Sequence, residues 1–320
     1  MAEIRNDLRD AAYSAPELTH ERLAPTLVRY QEAGTLWYQP YASDVAAQTG
    51  RSALGNVTAH TQGAASTSYA CGEIIDRQQM SYDAIRQSYR DNLRADLAMA
   101  RVGKRSVDDK IELAMANALL ANPIDLSAST NLPGDIEDMA WTLIDKAPGQ
   151  RCVLTINGKI FTALKANAAI KDRMKNIGIA VGEGGDPRRV TAAQMAAVLG
   201  VDEVIVAPNR VWVAMVKAGT LGPTGAACGV LTLLPDGSLQ PNEEVQLARV
   251  ISYQYGETDS FPFEITSWDD DRYLGHVIDT KTKAQFVLLN SALKQSVQLI
   301  AADASDSGSA SGSASASASA

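Results

Sequence analysis

The chain has 320 residues, 46% of them hydrophobic, and a formal net charge of −8. The apolar content suffices for a sizeable core, and the length fits one large domain or two smaller ones. The acid excess, spread along the chain, argues against a basic protein that coats nucleic acid. No run approaches the roughly 20 apolar residues of a membrane-spanning helix. The charged start "MAEIRNDLRD" has no signal-peptide core. Cys71, Cys152 and Cys228 lie far apart, which gives neither a CxxC site nor a disulfide framework and predicts reduced thiols.

Residues 1–30 read as an arm, because "APELTHERLAPTLVRY" has two prolines, mixed polarity and no long periodic face. Residues 31–80 change character. "TLWYQPY" and "STSYACGEI" are strand-like, and the small, polar residues between them could hardly fill a core. A long extended hairpin is the simplest picture, and a loop of that length inside a compact domain is functional or disordered.

Ser81 is placed to cap a helix with Ile85, Tyr89, Leu93 and Leu97 at four-residue steps, which Gly103 is expected to interrupt. Ser106 with Asp109 then starts a second helix, with Val107, Ile111, Ala114, Ala118 and Leu119 on one side. Asn122 and Pro123 stop it, since the residue before proline disfavours helix.

Residues 134–264 alternate helix and strand, which argues for α/β layers. Ile136, Met139, Ala140 and Leu143 mark a helix, "CVLTI" a strand and "KIFTALKAN" a helix. In "VTAAQMAAVLGVDEVIVAP" (190–208), Thr191 and Gln194 form a capping box, and Met195, Val198 and Leu199 share one face. Gly200 suits the left-handed residue that ends a helix. The run Val204, Ile205, Val206 and Ala207 suits a strand covered on both faces, stopped by Pro208. "ACGVLTLL" is another strand, ended by "PDG". From 265 the chain is strand-like in "YLGHVIDT", "AQFVLL" and "SVQLIA". The closing "SDSGSASGSASASASA" has no apolar residue larger than alanine, and predicts a disordered tail.

Motifs for chemistry are scarce. "GEGGDP" (182–187) and "GTLGPTGAACG" (219–229) are glycine-rich but lack the GK[ST] ending and the GxGxxG spacing, so turns or flexible loops are expected. His20, His60 and His276 sit in three distant segments without a zinc pattern, which predicts structural or surface roles. "WDDDR" (268–272) could bind a hard cation, but it lacks the spaced ligands of a cation loop and reads as a solvated turn. There is no GxSxG elbow. The sequon "NVT" (56–58) has no meaning without a secretory signal. No catalytic, cofactor-binding or metal-ligating residue is assigned, and no cofactor is implied.

The order of segments resembles the tailed-phage major capsid proteins with the HK97-type fold. The likeness rests on "GTLWYQPYASD" to "STSYACGEIIDRQQ", on "KIELAMANALLANP", on "AAQMAAVLGVDEVIVAP", and on the closing series from "SWDDDRYLGHVIDT" to "SVQLIA". It spans about residues 20 to 302 through the order of pieces, not through one strong motif. The resemblance implies an α+β fold with an N-terminal arm (1–30), an extended β-hairpin loop (31–80), and a peripheral domain with a long spine helix (81–133). It further implies an α/β axial domain (134–264), a return to the peripheral domain (265–302) and the Ser/Ala tail (303–320).

As function, it implies a non-enzymatic subunit that assembles with itself as pentamers and hexamers into an icosahedral shell. Such a subunit would meet a portal protein, with scaffold, protease and decoration proteins as further partners. It would enclose double-stranded DNA without sequence-specific contact and touch no membrane. Its place would be the virion, assembled in the host bacterial cytoplasm. A small-residue hairpin without a core suits a subunit that lies across its neighbour, and the acid excess suits a container that does not grip its DNA tightly. Some family members crosslink a lysine of the extended loop to a neighbour's asparagine. Here the first lysine is Lys104, so the loop has no such nucleophile. No room is expected for the long N-terminal scaffolding segment of some relatives, which implies a separate scaffold or none. The alternatives are an encapsulin-like nanocompartment shell and an α/β enzyme or binding protein with its ligand near 182–228.

Overall fold

The computed structural model describes residues 3–4, 8, 19–38, 65–90, 94–147, 149–178, 190–207, 227–235, 245–254, 262–272 and 274–300. The middle of the extended loop, the glycine stretch at 182–187, the sequon at 56–58, His60 and the Ser/Ala tail lie outside those residues.

The molecule is organised by one long strand, β12 (Gly275–Leu288). Its 14 residues alternate threonine with charged residues at the centre, Asp279 to Lys283, and they run as one strand through what the sequence suggests as two. Along one edge of β12 lie β11 (Glu264–Asp270) and then β10 (Ala248–Tyr253), both antiparallel. Along the other edge runs β5 (Gly72–Ser81), also antiparallel, in register from Ala284↔Gly72 to Gly275↔Ser81. Two short strands complete this six-stranded sheet: β1 (Glu3–Ile4) on β11 and β2 (Thr26–Arg29), parallel to β10. Thus residues 72–80, which the sequence groups with the extended loop, are part of a sheet. So is β10, inside the predicted α/β segment.

A second, five-stranded sheet has the order β6 (Ile124–Asp125), β13 (Lys294–Ile300), β9 (Ala227–Leu234), β7 (Arg151–Asn157), β8 (Glu203–Ala207). Its pairing is mixed: β7–β8 and β6–β13 are parallel, and β9 is antiparallel to both β7 and β13. β13 reaches it from β12 through a single 3-10 turn at Ser291–Leu293. The closing strands are therefore divided between the two sheets.

Four helices accompany the second sheet: α4 (Leu132–Lys146), α5 (Gly158–Ala166), α6 (Ala168–Asn176) and α7 (Ala192–Leu199). Asn157 caps α5 by accepting from the Ile160 N–H at 2.8 Å, and Asn167 caps α6. The Thr191–Gln194 capping box forms as expected, and Gly200 ends α7 at φ +68°. The expected burial of β8 on both faces fails at Val206, which is 40% exposed because β8 is the edge strand beside β7.

Between the sheets lies α3 (Ala95–Leu119), 25 residues and about 37 Å long. Its first half packs Met99 and Ala100 with Leu8, Phe263, Ile265 and Ile278. Its second half buries Val107, Ile111, Met115, Ala116 and Leu119 in the main core, with β7, β9 and α4. A shorter helix, α2 (Tyr82–Arg90), precedes it and buries none of its residues; the Ala84 N–H bonds Ser81 Oγ at 3.3 Å. The expected interruption at Gly103 and the second start at Ser106 are both wrong. Gly103 lies within α3, and glycine is needed there because an added Cβ would stand 2.4 Å from Thr280 Oγ1. Ser106 donates to Asp76 Oδ1 on β5 at 2.7 Å instead of capping. Ala114, expected on the apolar side, is exposed.

Candidate functional site

Among the described residues, the cysteines and His276 are held by burial or hydrogen bonds. Cys152 lies in β7, its thiol pushed up to about 12 by burial, with the Asp202 charge adding to the effect. Burial and then the Asp125 charge push Cys228 up to about 11. Both therefore stay protonated and unreactive near neutrality. Burial, then the Glu32 charge, also raises the half-buried Cys71; none of the three cysteines is in a disulfide. His276 Nδ1 is 2.9 Å from Asp269 Oδ1, and His20 lies in α1 (Thr19–Leu23). In "WDDDR", Trp268 to Asp270 end β11, while Asp271 and Arg272 form a turn. Among the described residues no group of three His, Cys, Asp or Glu could hold a metal ion, and no helix is long and apolar enough to cross a membrane. Of the second glycine stretch, 227–229 belong to β9, where Gly229 allows close packing: an added Cβ would be 2.7 Å from Ile156 Cγ2.

Recognition surfaces are better developed. β3 (Ala33–Tyr38) and β4 (Ala65–Ala70) pair antiparallel in register from Ala33↔Ala70 to Tyr38↔Ala65, so the strand-like ends of the extended loop do form a hairpin. One face packs down: Leu36 and Tyr69 are buried against Ile251, Val287 and Leu289. The base is tied by the Ala70 N–H to Gln285 Oε1 at 2.7 Å and by the Lys283–Glu32 ion pair. The other face exposes Ala33, Thr35 and Trp37 beside Ser66, Ser68 and Ala70, a flat strip of small groups around one indole. Trp37 is 66% exposed.

At the opposite end of β12 is a cavity of about 230 Å³. It is lined by Tyr82, Ile85 and Tyr89 of α2, Asp96 and Met99 of α3, Asp269 of β11 and His276 of β12. Nearby, Arg77 clasps Asp279 through two hydrogen bonds of 2.8 Å and lies over the Trp268 ring at 5.0 Å.

A buried polar seam on α3 fastens the N-terminal segment. The Thr19 N–H donates to Glu112 Oε1 at 2.9 Å, Lys104 Nζ meets Asp108 at 2.6 Å, and the Lys104 ammonium lies 5.2 Å from the Phe263 ring centre. α1 also carries the Arg22–Glu203 ion pair to β8 and buries Leu23. Residues 19–29, read in the sequence as part of an arm, thus bridge both sheets. The sequence misses the Trp37 strip and the cavity as sites. Alternation in "TLWY" marks a face, but only packing shows which face is covered, and the cavity draws on four separate elements.

No protein-family model matches the sequence, and no curated protein matches it either. Among solved structures, a phage-related protein of Bordetella bronchiseptica RB50 matches with TM-score 0.64 at 15% identity, over 93% of this chain and 97% of that one. The mature capsid of bacteriophage PhiM1 matches at 0.52 and 9%, over 89% and 88%. The capsid of the cyanophage P-SCSP1u matches at 0.52 and 10%, over 90% and 89%. The chain has the HK97-type capsid fold. The capsid fold accounts for the long helix laid on a long strand, the hairpin and the separate five-stranded sheet as parts of one arrangement. At such identities the fold is what is shared; the side chains that line its surfaces are this chain's own.

Proposed function

We propose that this chain is a major capsid protein, the structural subunit of an icosahedral phage shell that forms from its pentamers and hexamers around double-stranded DNA. A fold does not dictate a function. What carries the reading is that the likeness to phage capsid subunits runs through about nine-tenths of each chain. A hairpin that packs one face and exposes the other around Trp37 supports it.

In this reading α3 is the spine helix, and with the six-stranded sheet it makes the peripheral domain. The five-stranded sheet and α4 to α7 make the axial domain, and the hairpin is the root of the extended loop. The subunit performs no catalysis and meets DNA without reading its sequence. A portal protein and scaffold or decoration proteins would be its other partners, and the virion its place.

Electron microscopy of the purified full chain tests the proposal. Closed shells, or pentamers and hexamers, are expected, and a small soluble oligomer would overturn it. Shells filled with protein and no genome would favour the nanocompartment. Boiling the particles in denaturing detergent should release one band of monomer size, because the first lysine is Lys104 and the loop lacks the amine that an isopeptide bond needs. A ladder that survives reducing agent would contradict this.

A further inference from the structure

Two features at opposite ends of β12 have no partner in the fold just described. One is Trp37, 66% exposed on the outer face of the hairpin. The other is the cavity between α2, α3 and the adjoining ends of β11 and β12. We propose that Trp37 of one copy inserts into this cavity of the next copy, forming a head-to-tail contact that propagates the assembly; this rests on the shell reading above.

Size argues for a side chain as occupant. Small-molecule sites usually enclose about 300–1,000 Å³, and this cavity holds about 230 Å³. It is suited to one large aromatic group and small for a nucleotide.

Chemistry argues for an indole. The walls offer Ile85, Met99, Tyr82 and Tyr89, so the ring would meet apolar and aromatic groups. Tyr89 is itself 57% exposed at the rim, placed to stack or meet an edge. The polar groups there include two carboxylates, Asp96 and Asp269. An indole N–H only donates and an ionised carboxylate only accepts, and the two oxygens of Asp269 have capacity beyond its bonds to His276 and Tyr82. A carboxylate or phosphate ligand would be repelled by the same two groups.

Geometry argues for a second copy. The hairpin packs on Val287 and Leu289, and the cavity includes His276. At the rise of a strand these positions are roughly 36 Å apart, so one chain cannot fill its own cavity with its own Trp37. Patch and receptor are also different surfaces. The contact is therefore heterologous, which builds rings or continuing arrays, whereas a self-complementary patch would close as a pair. Rings and arrays are what a shell requires.

The full-length chain is compared as wild type, Trp37→Ala and Ile85→Trp by sedimentation velocity and electron microscopy, with circular dichroism and urea midpoints to confirm folding. Ile85 lies on a helix that buries none of its residues, so the added indole fills the cavity without entering the core. If Ile85→Trp does not fold, Tyr89→Ala at the exposed rim replaces it. Both variants are expected to fail to assemble at concentrations where wild type assembles. Mixed in equal amounts they should give a two-chain complex and no shell, because only one Trp37 meets one open cavity. Trp37→Phe, which keeps the ring and loses the donor, should raise the assembly concentration about tenfold, equivalent to about 1.4 kcal/mol. Tyr30→Ala, at the other exposed aromatic near the hairpin, should assemble as wild type.

Normal assembly by a folded Trp37→Ala or cavity variant, or no two-chain complex on mixing, would overturn the contact and leave the shell function standing. If wild type forms no particles the shell reading fails, and the contact is judged from self-association of wild type. Association lost in Trp37→Ala supports it, while association retained or absent overturns it.

Discussion

The five-stranded sheet and the β3–β4 hairpin are built from strands of similar length, yet they use them differently. In β7 every residue from Cys152 to Asn157 is buried, with sheet neighbours on both edges and helices packed against it. In β3 the pattern alternates, and only Leu36 is fully buried. The first region is folded by what it hides within its own chain. The second is held by one face and a few ties at its base, and its other face is available to something else. The contrast separates residues that stabilise the subunit from residues that serve assembly.

The largest effect should come from the five-stranded sheet. Leu154, with no exposed surface, has nowhere to relax, so Leu154→Ala should cost about 2–5 kcal/mol, read as a fall in the urea midpoint. A loss below 1 kcal/mol would show that the sheet is not the tightly packed partner in the comparison.

Next is the crossing of α3 over β12. Gly103→Ala gains helix propensity but forces a Cβ against Thr280 Oγ1, and overpacking of this kind costs about 1–3 kcal/mol. Removing the hydroxyl in Gly103→Ala with Thr280→Ala should recover part of that loss. Additive losses in the double-mutant cycle would mean that the two groups do not oppose each other.

A smaller, pH-dependent effect lies on the same helix. Burial raises the Asp109 carboxyl to about 6, Arg105 opposes the shift, and Glu112 and Asp108 add to it. Because the folded state binds this proton more tightly, stability contributed by Asp109 falls as pH rises from about 4 through 6. Asp109→Asn should therefore be more stable than wild type at pH 7.5, with the difference vanishing near pH 4. Equal unfolding midpoints at both pH values would exclude the effect.

The smallest effect on folding is expected where assembly depends most. Tyr38 and Ala65 are cross-strand partners, so Asn-Gly can replace 39–64 as a two-residue turn. The urea midpoint should be unchanged or higher, since a shorter loop costs less to close. Closed shells should be lost. Normal particles from this variant would erase the distinction between the two regions.

Local chemistry made much of the fold legible in the sequence. The capping box at Thr191 and Gln194, the left-handed Gly200, the stop at Asn122 and Pro123, the strands of β7 and β9, and the hairpin ends each depend on neighbours a few residues away. The order of those pieces was enough to suggest the capsid fold. Tertiary packing decided the rest. Gly103 looked like a helix breaker because its reason for being glycine, the close approach of Thr280, lies 177 residues along the chain. β12 looked like two strands, β13 was grouped with the peripheral return and β10 fell unmarked inside the α/β segment, because sheet membership depends on long-range pairing that leaves no short-range mark. For the same reason Trp37 and the cavity were legible only as residues: whether an apolar side chain is covered depends on which distant surfaces the fold brings to it.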